Sequence, residues 1–66
     1  MSYSRIGFVG IGKMGAPMAG RLIAAGYDVT VHDLDARAMA ELVAAGAKAA
    51  TSAREVADAA DVVFAS

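Results

Sequence analysis

Three glycines, Gly10, Gly12 and Gly15, stand between an apolar run at residues 6–9 and a stretch of helical periodicity. An unbroken apolar run of that length reads as a strand covered on both faces. After the glycines, Met14, Met18 and Leu22 recur every fourth residue, with Ala19 and Ile23 widening the stripe. The glycine-rich hexad is too irregular to continue the strand, so the turn falls there. The rest of the sequence has to be arranged around that unit of strand, glycine turn and helix.

The helix is expected over residues 14–25, with Gly26 in the left-handed position that closes it. Met18 is placed in its buried stripe. Pro17 conflicts with a regular first turn, because it lacks an N–H, so regular helix is expected to begin near Gly15 and Ala16 or the first turn to be irregular. Residues 28–33 form a second strand rich in β-branched side chains. Asp35 caps a helix over residues 36–45, burying Met39, Leu42 and Val43, and Gly46 ends it. A short extended piece spans residues 47–50. Ser52 and Glu55 have the spacing of a reciprocal capping box for a helix reaching residue 59 or 60 and burying Val56. Residues 62–65 form a last apolar strand.

This alternation predicts an α/β fold: a parallel sheet with helices on both faces. Right-handed crossovers lead to the strand order 3-2-1-4, with the first strand between the second and the fourth. The chain reaches Ser66 directly after strand residues, so residues 1–66 are expected to be the N-terminal portion of a larger Rossmann-type domain.

The glycine spacing carries chemistry when a strand precedes it, a helix follows it and an acidic residue ends the next strand. Gly10 allows the tight turn, Gly12 lets backbone approach a pyrophosphate, and Gly15 lets the helix pack closely. The amides of Gly10, Ile11, Gly12, Lys13, Met14 and Gly15 then face the phosphates at the positive end of the helix dipole. Asp33 lies eighteen positions beyond Gly15, close to the spacing at which a carboxylate accepts bonds from an adenosine ribose. Its charge opposes a 2′-phosphate, which favours NAD over NADP as the cofactor. Lys13 can add positive charge there or be solvated. Arg37, one turn into the next helix, can reach a phosphate or pair with Glu41. Arg54 and Asp58 read as a solvated helix face, and His32 as cover for the sheet without a proton-transfer partner.

Composition narrows the alternatives. With 66 residues the chain holds one small core, and its net charge of −1 provides no basic patch for nucleic acid or anionic lipid. Cysteine is absent and His32 is the single histidine, so no metal site is expected. No apolar stretch approaches the roughly 20 residues of a membrane span. Residues 1–5 lack the pattern of a signal peptide, leaving the cytoplasm as the default location.

The segment from Phe8 through Gly10, Gly12, Met14, Gly15, Pro17 and Met18 to Ala19 resembles the N-terminal signature of the β-hydroxyacid dehydrogenases. That family includes 3-hydroxyisobutyrate dehydrogenase and tartronate semialdehyde reductase. The likeness continues through Leu22, Tyr27, Val29, Val31 and Gly46 to Asp61, Val62 and Val63, and thus covers nearly the whole chain. Ile11 stands where the family usually has leucine, and Arg21 where it usually has asparagine. The resemblance implies an NAD(P)-dependent oxidoreductase that exchanges a hydride between the nicotinamide and a 3-hydroxy acid or its semialdehyde. It places the substrate-binding segment, the catalytic lysine and a helical C-terminal domain downstream, so no catalytic residue is expected within this chain. Two alternatives remain: a non-catalytic module that self-associates into a homodimer or larger assembly along Val62–Ala65, and part of an NADP-dependent semialdehyde or glyoxylate reductase.

Overall fold

The computed structural model describes residues 5–65, with the backbone alone for residues 12–15. Seven elements alternate among them: β1 (Arg5–Val9), α1 (Gly12–Ala24), β2 (Asp28–His32), α2 (Ala36–Ala45), β3 (Lys48–Ala49), α3 (Ala53–Ala59) and β4 (Val62–Ala65). The strands pair in parallel in the order β3-β2-β1-β4, as the alternation predicts. β1 is central, and Phe8 lies between Val31 of β2 and Phe64 of β4.

Alternation along each strand divides the sheet into two faces. Ile6, Phe8, Val29 and Val31 point to one face, where Ala19 of α1, Leu42 of α2, Ile11 and Ala47 complete the core. Gly7 points to the other, towards Val56 of α3, which is fully buried. Helices therefore cover both faces, and parallel strands require that cover.

Two residues assigned to buried stripes face solvent instead: Met18 is 46% exposed and Val43 is 44% exposed. In each case a neighbour one position away takes the core place, Ala19 on α1 and Leu42 on α2. Successive helical residues are rotated by about 100°, so neighbours cannot share one contact line. At Ala19 the methyl group lets the helix axis come close to the sheet, and Met18 is turned outward. α1 also begins earlier than expected, at Gly12, and runs through Pro17 without a break. Pro17 is exposed, and a missing donor there costs less than one facing the core.

The helix ends follow local chemistry. Asp35 accepts hydrogen bonds from the amides of Arg37 and Ala38, capping α2. Ser52 Oγ accepts from the Glu55 amide at 3.1 Å, but the Glu55 carboxylate does not return the bond to Ser52. It accepts instead from the amide and hydroxyl of Thr51, at 3.2 and 2.9 Å. The Thr51 amide and hydroxyl together engage both carboxylate oxygens of Glu55, and the expected box is displaced by one residue. Removing the α2 cap with Asp35→Ala is expected to lower stability by about 1 kcal/mol. A denaturant midpoint unchanged within error would contradict this.

Arg5 and Asp61 clasp the ends of the parallel β1–β4 pair. The guanidinium Nη2 lies 2.7 Å from one Asp61 oxygen, and the Asp61 amide donates to the Arg5 carbonyl at 2.8 Å. The hydrogen bond from Arg5 holds the Asp61 carboxyl below the usual carboxylate range. A carboxyl depressed in the folded state stabilises above its unfolded pKa and loses that contribution as pH falls through the folded value. The expected signature is an acid-side loss of stability, from the ordinary carboxylate range downward, that is shallower in Asp61→Asn. Thermal melts across that range would reveal it, and identical slopes for both chains would exclude it.

Candidate dinucleotide site

The hexad occupies the crossing from β1 to α1, at the C-terminal edge of the sheet. After Val9, Gly10 takes a φ of +73°, a left-handed conformation that glycine adopts without steric cost. Its amide donates to the His32 carbonyl at 3.0 Å, tying the turn to the end of β2. Ile11 then turns into helical geometry as the N-cap of α1. Its side chain is 1% exposed and anchors the turn in the core.

Asp33 is the first residue beyond β2, and its carboxylate reaches the same turn. Oδ2 accepts from the Ile11 amide at 2.6 Å, and Oδ1 accepts from the Asp35 amide at 2.8 Å. The acidic residue chosen from spacing alone therefore lies at the mouth of the glycine turn. It also engages the amide of Ile11, one of those expected to face the phosphates.

α1 starts differently from the other helices. Asp35 caps α2 and Ser52 caps α3, whereas Ile11 has no side-chain acceptor and the first turn of α1 contains no acidic residue. The leading amides of a helix have no partner within it, and the helix dipole favours negative charge at that end. Gly12, Lys13, Met14 and Gly15 form this first turn. The side chains of Lys13 and Met14, and Ser66, lie outside the described residues.

The remaining candidates separate clearly. His32 is partly buried, and its Nδ1 donates to the Ala50 carbonyl at 3.1 Å, joining the ends of β2 and β3. Arg37 is exposed and forms no ion pair with Glu41 among the described residues, a departure from the expected pairing. Exposed pairs of this kind are worth little against the hydration and freedom of both side chains. Arg54 and Asp58 are exposed, as a solvated face requires. Among the described residues, no group of three or more acidic, histidine or cysteine side chains could hold a metal ion. Nor is any helix among them long and apolar enough to cross a membrane.

One residue was overlooked by motif reasoning. Leu34, between Asp33 and Asp35, is 96% exposed. The available signal was an apolar side chain within a polar turn beside the acidic residue.

Comparison with known proteins points the same way. Residues 5–66 match the family described as the NAD binding domain of 6-phosphogluconate dehydrogenase. The chain is 49% identical over 63 residues to a probable 3-hydroxyisobutyrate dehydrogenase-like 3, mitochondrial, of Arabidopsis thaliana, covering 96% of this chain and 20% of that protein. It is 55% identical over 60 residues to an NAD-dependent L-serine dehydrogenase of Pseudomonas aeruginosa, covering 91% of this chain and 20% of that one. Among solved structures, an imine reductase from Pseudomonas sp. superimposes with a TM-score of 0.89 at 31% identity, over 97% of this chain and 22% of that one. The chain thus spans about a fifth of the length of these relatives. It belongs to the family of the NAD binding domain of 6-phosphogluconate dehydrogenase, on the side of the β-hydroxyacid dehydrogenases.

Proposed function

We propose that this chain forms the adenosine-diphosphate half of the NAD site of a 3-hydroxyisobutyrate-type dehydrogenase, and that the chemical step is carried by residues beyond it. The observation that carries this reading is the 2.6 Å contact between the Asp33 carboxylate and the Ile11 amide, which puts an acidic side chain at the edge of an amide-lined turn. In this reading the backbone of Gly12, Lys13, Met14 and Gly15 receives the pyrophosphate and Asp33 accepts from the ribose hydroxyls. Leu34 offers an apolar face beside them for the adenine. The bound cofactor supplies a nicotinamide able to accept or donate a hydride. The chain's own part is to hold the adenosine end and to favour an unphosphorylated ribose.

Titration with NADH and NADPH, followed by cofactor fluorescence, tests this directly. Saturable binding of NADH with weaker binding of NADPH is expected. Equal, non-saturating signals from both would remove the reading, and a preference for NADPH would favour the alternative of a semialdehyde or glyoxylate reductase.

A second reading, self-association, is favoured by the β4 edge. Val63 and Phe64 are 40% and 43% exposed, although Phe64 also stacks on Phe8 with ring centroids 5.3 Å apart. Among the described residues β4 lies at the edge of the sheet, and an apolar edge strand is a template for pairing with a second copy. Light scattering at increasing concentration would detect a homodimer, and a monomer throughout would end this reading.

A further inference from the structure

We propose that Asp33 is a positioning residue for the glycine turn as well as a ribose acceptor. Joined at once to the Ile11 and Asp35 amides, it sets the turn before any dinucleotide arrives, so that binding of NADH and NADPH alike depends on it.

Gly10 adopts a left-handed φ that is one of several conformations open to glycine. The buried Ile11 side chain holds the inner side of the turn against the core. From the end of β2, the His32 carbonyl holds the Gly10 amide and the Asp33 carboxylate holds the Ile11 amide. The second is a charge-assisted bond, shorter and stronger than one between neutral groups. The other oxygen of the same carboxylate holds the Asp35 amide, at the residue that caps α2. A single side chain thus fixes the glycine turn relative to the start of α2, the two segments a dinucleotide's pyrophosphate and adenosine would have to bridge. A site already in its binding shape loses less freedom when ligand enters.

Acting only as an electrostatic gate, Asp33 would merely repel a 2′-phosphate, and any neutral replacement would improve NADPH binding. As a positioning residue it also has to accept amide hydrogens, and neutral replacements then differ. Asparagine keeps one carbonyl oxygen for an amide, whereas alanine keeps none. The affinity part of the proposal rests on the dinucleotide reading above. The ligand-free part does not.

The test compares the parent chain with Asp33→Asn and Asp33→Ala. Amide hydrogen exchange is measured without ligand at Ile11 and, as a reference for global stability, at Val29 and Val31 in the central sheet. Exchange at Ile11 is expected to quicken at least tenfold more than at the reference amides in Asp33→Ala, and less in Asp33→Asn. NADPH affinity is expected to rise in Asp33→Asn and to fall below the parent's in Asp33→Ala. Unaltered Ile11 exchange in Asp33→Ala, or equal gains in NADPH affinity for both variants, would overturn the proposal. Faster Ile11 exchange in a chain whose parent binds neither cofactor would uphold the ligand-free positioning role and refute the dinucleotide reading.

Discussion

In Asp33→Asn, the ratio of NADPH to NADH affinity is expected to rise by up to about a hundredfold, the size of a roughly 3 kcal/mol interaction between unit charges about 5 Å apart at an effective dielectric near 20. Asp33 is partly buried against the Ile11 amide, so solvent screens it incompletely. Two effects combine in the ratio. The variant no longer repels a 2′-phosphate, and it gives up the charge-assisted bonds that a carboxylate makes to ribose hydroxyls. The first raises NADPH affinity and the second lowers NADH affinity. Parallel titrations of both cofactors at one ionic strength would measure the change. A ratio that stays within twofold of the parent's would mean that Asp33 does not face the ribose 2′ position.

The second large effect is one of stability. At Gly7, in the middle of the central strand, an added Cβ would lie 2.5 Å from Val56 Cγ1 and 3.0 Å from the Ala60 Cβ. Val56 has no exposed surface and is β-branched, so its methyl group cannot swing aside. The Ala60 contact is a methyl fixed to backbone. Gly7→Ala therefore has to push α3 away from the sheet, and overpacking of this kind costs about 1–3 kcal/mol. For a domain of this size, that corresponds to a fall in Tm of roughly 5–20 °C. Combining Gly7→Ala with Val56→Ala gives the new methyl room, and the two losses are expected to sum to more than the loss in the double variant. Strict additivity, or an unchanged Tm for Gly7→Ala alone, would show that α3 does not depend on a bare strand position beneath it.

The order of elements was legible in the chain because each signal was local and of a different kind: apolar runs for β1 and β4, Asp35 and Ser52 for the starts of helices, Gly26 and Gly46 for their ends. Strand order followed from the parallel alternation and the handedness of crossovers. Which apolar residue faces the core was less legible. In a chain that is 58% hydrophobic, apolar residues exceed the places the core offers, so Met18 and Val43 fit the periodicity and still face water. The capping partner of Glu55 depended on a choice between adjacent donors, Thr51 and Ser52, that spacing does not resolve. At the site, motif spacing placed Asp33 beside the glycines. The part played by Ile11 was hidden, because a buried side chain with its amide turned to a carboxylate twenty-two residues away leaves no periodic trace.

The central position of β1 also governs how the chain can fold. β1 has neighbours on both sides, and one of them, β4, is the last of the four described strands in sequence. Arg5 and Asp61, which join these strands, are 56 residues apart in sequence. Closing so long a loop precedes any reward from the β1–β4 ladder, so folding is expected to be slow for the chain's size, with β1 and β2 waiting as a partial sheet until residues 62–65 emerge. During that interval Ile6 and Phe8 lie along an open edge. Any variant that delays β4 prolongs the exposure, and its first symptom would be lost yield during synthesis.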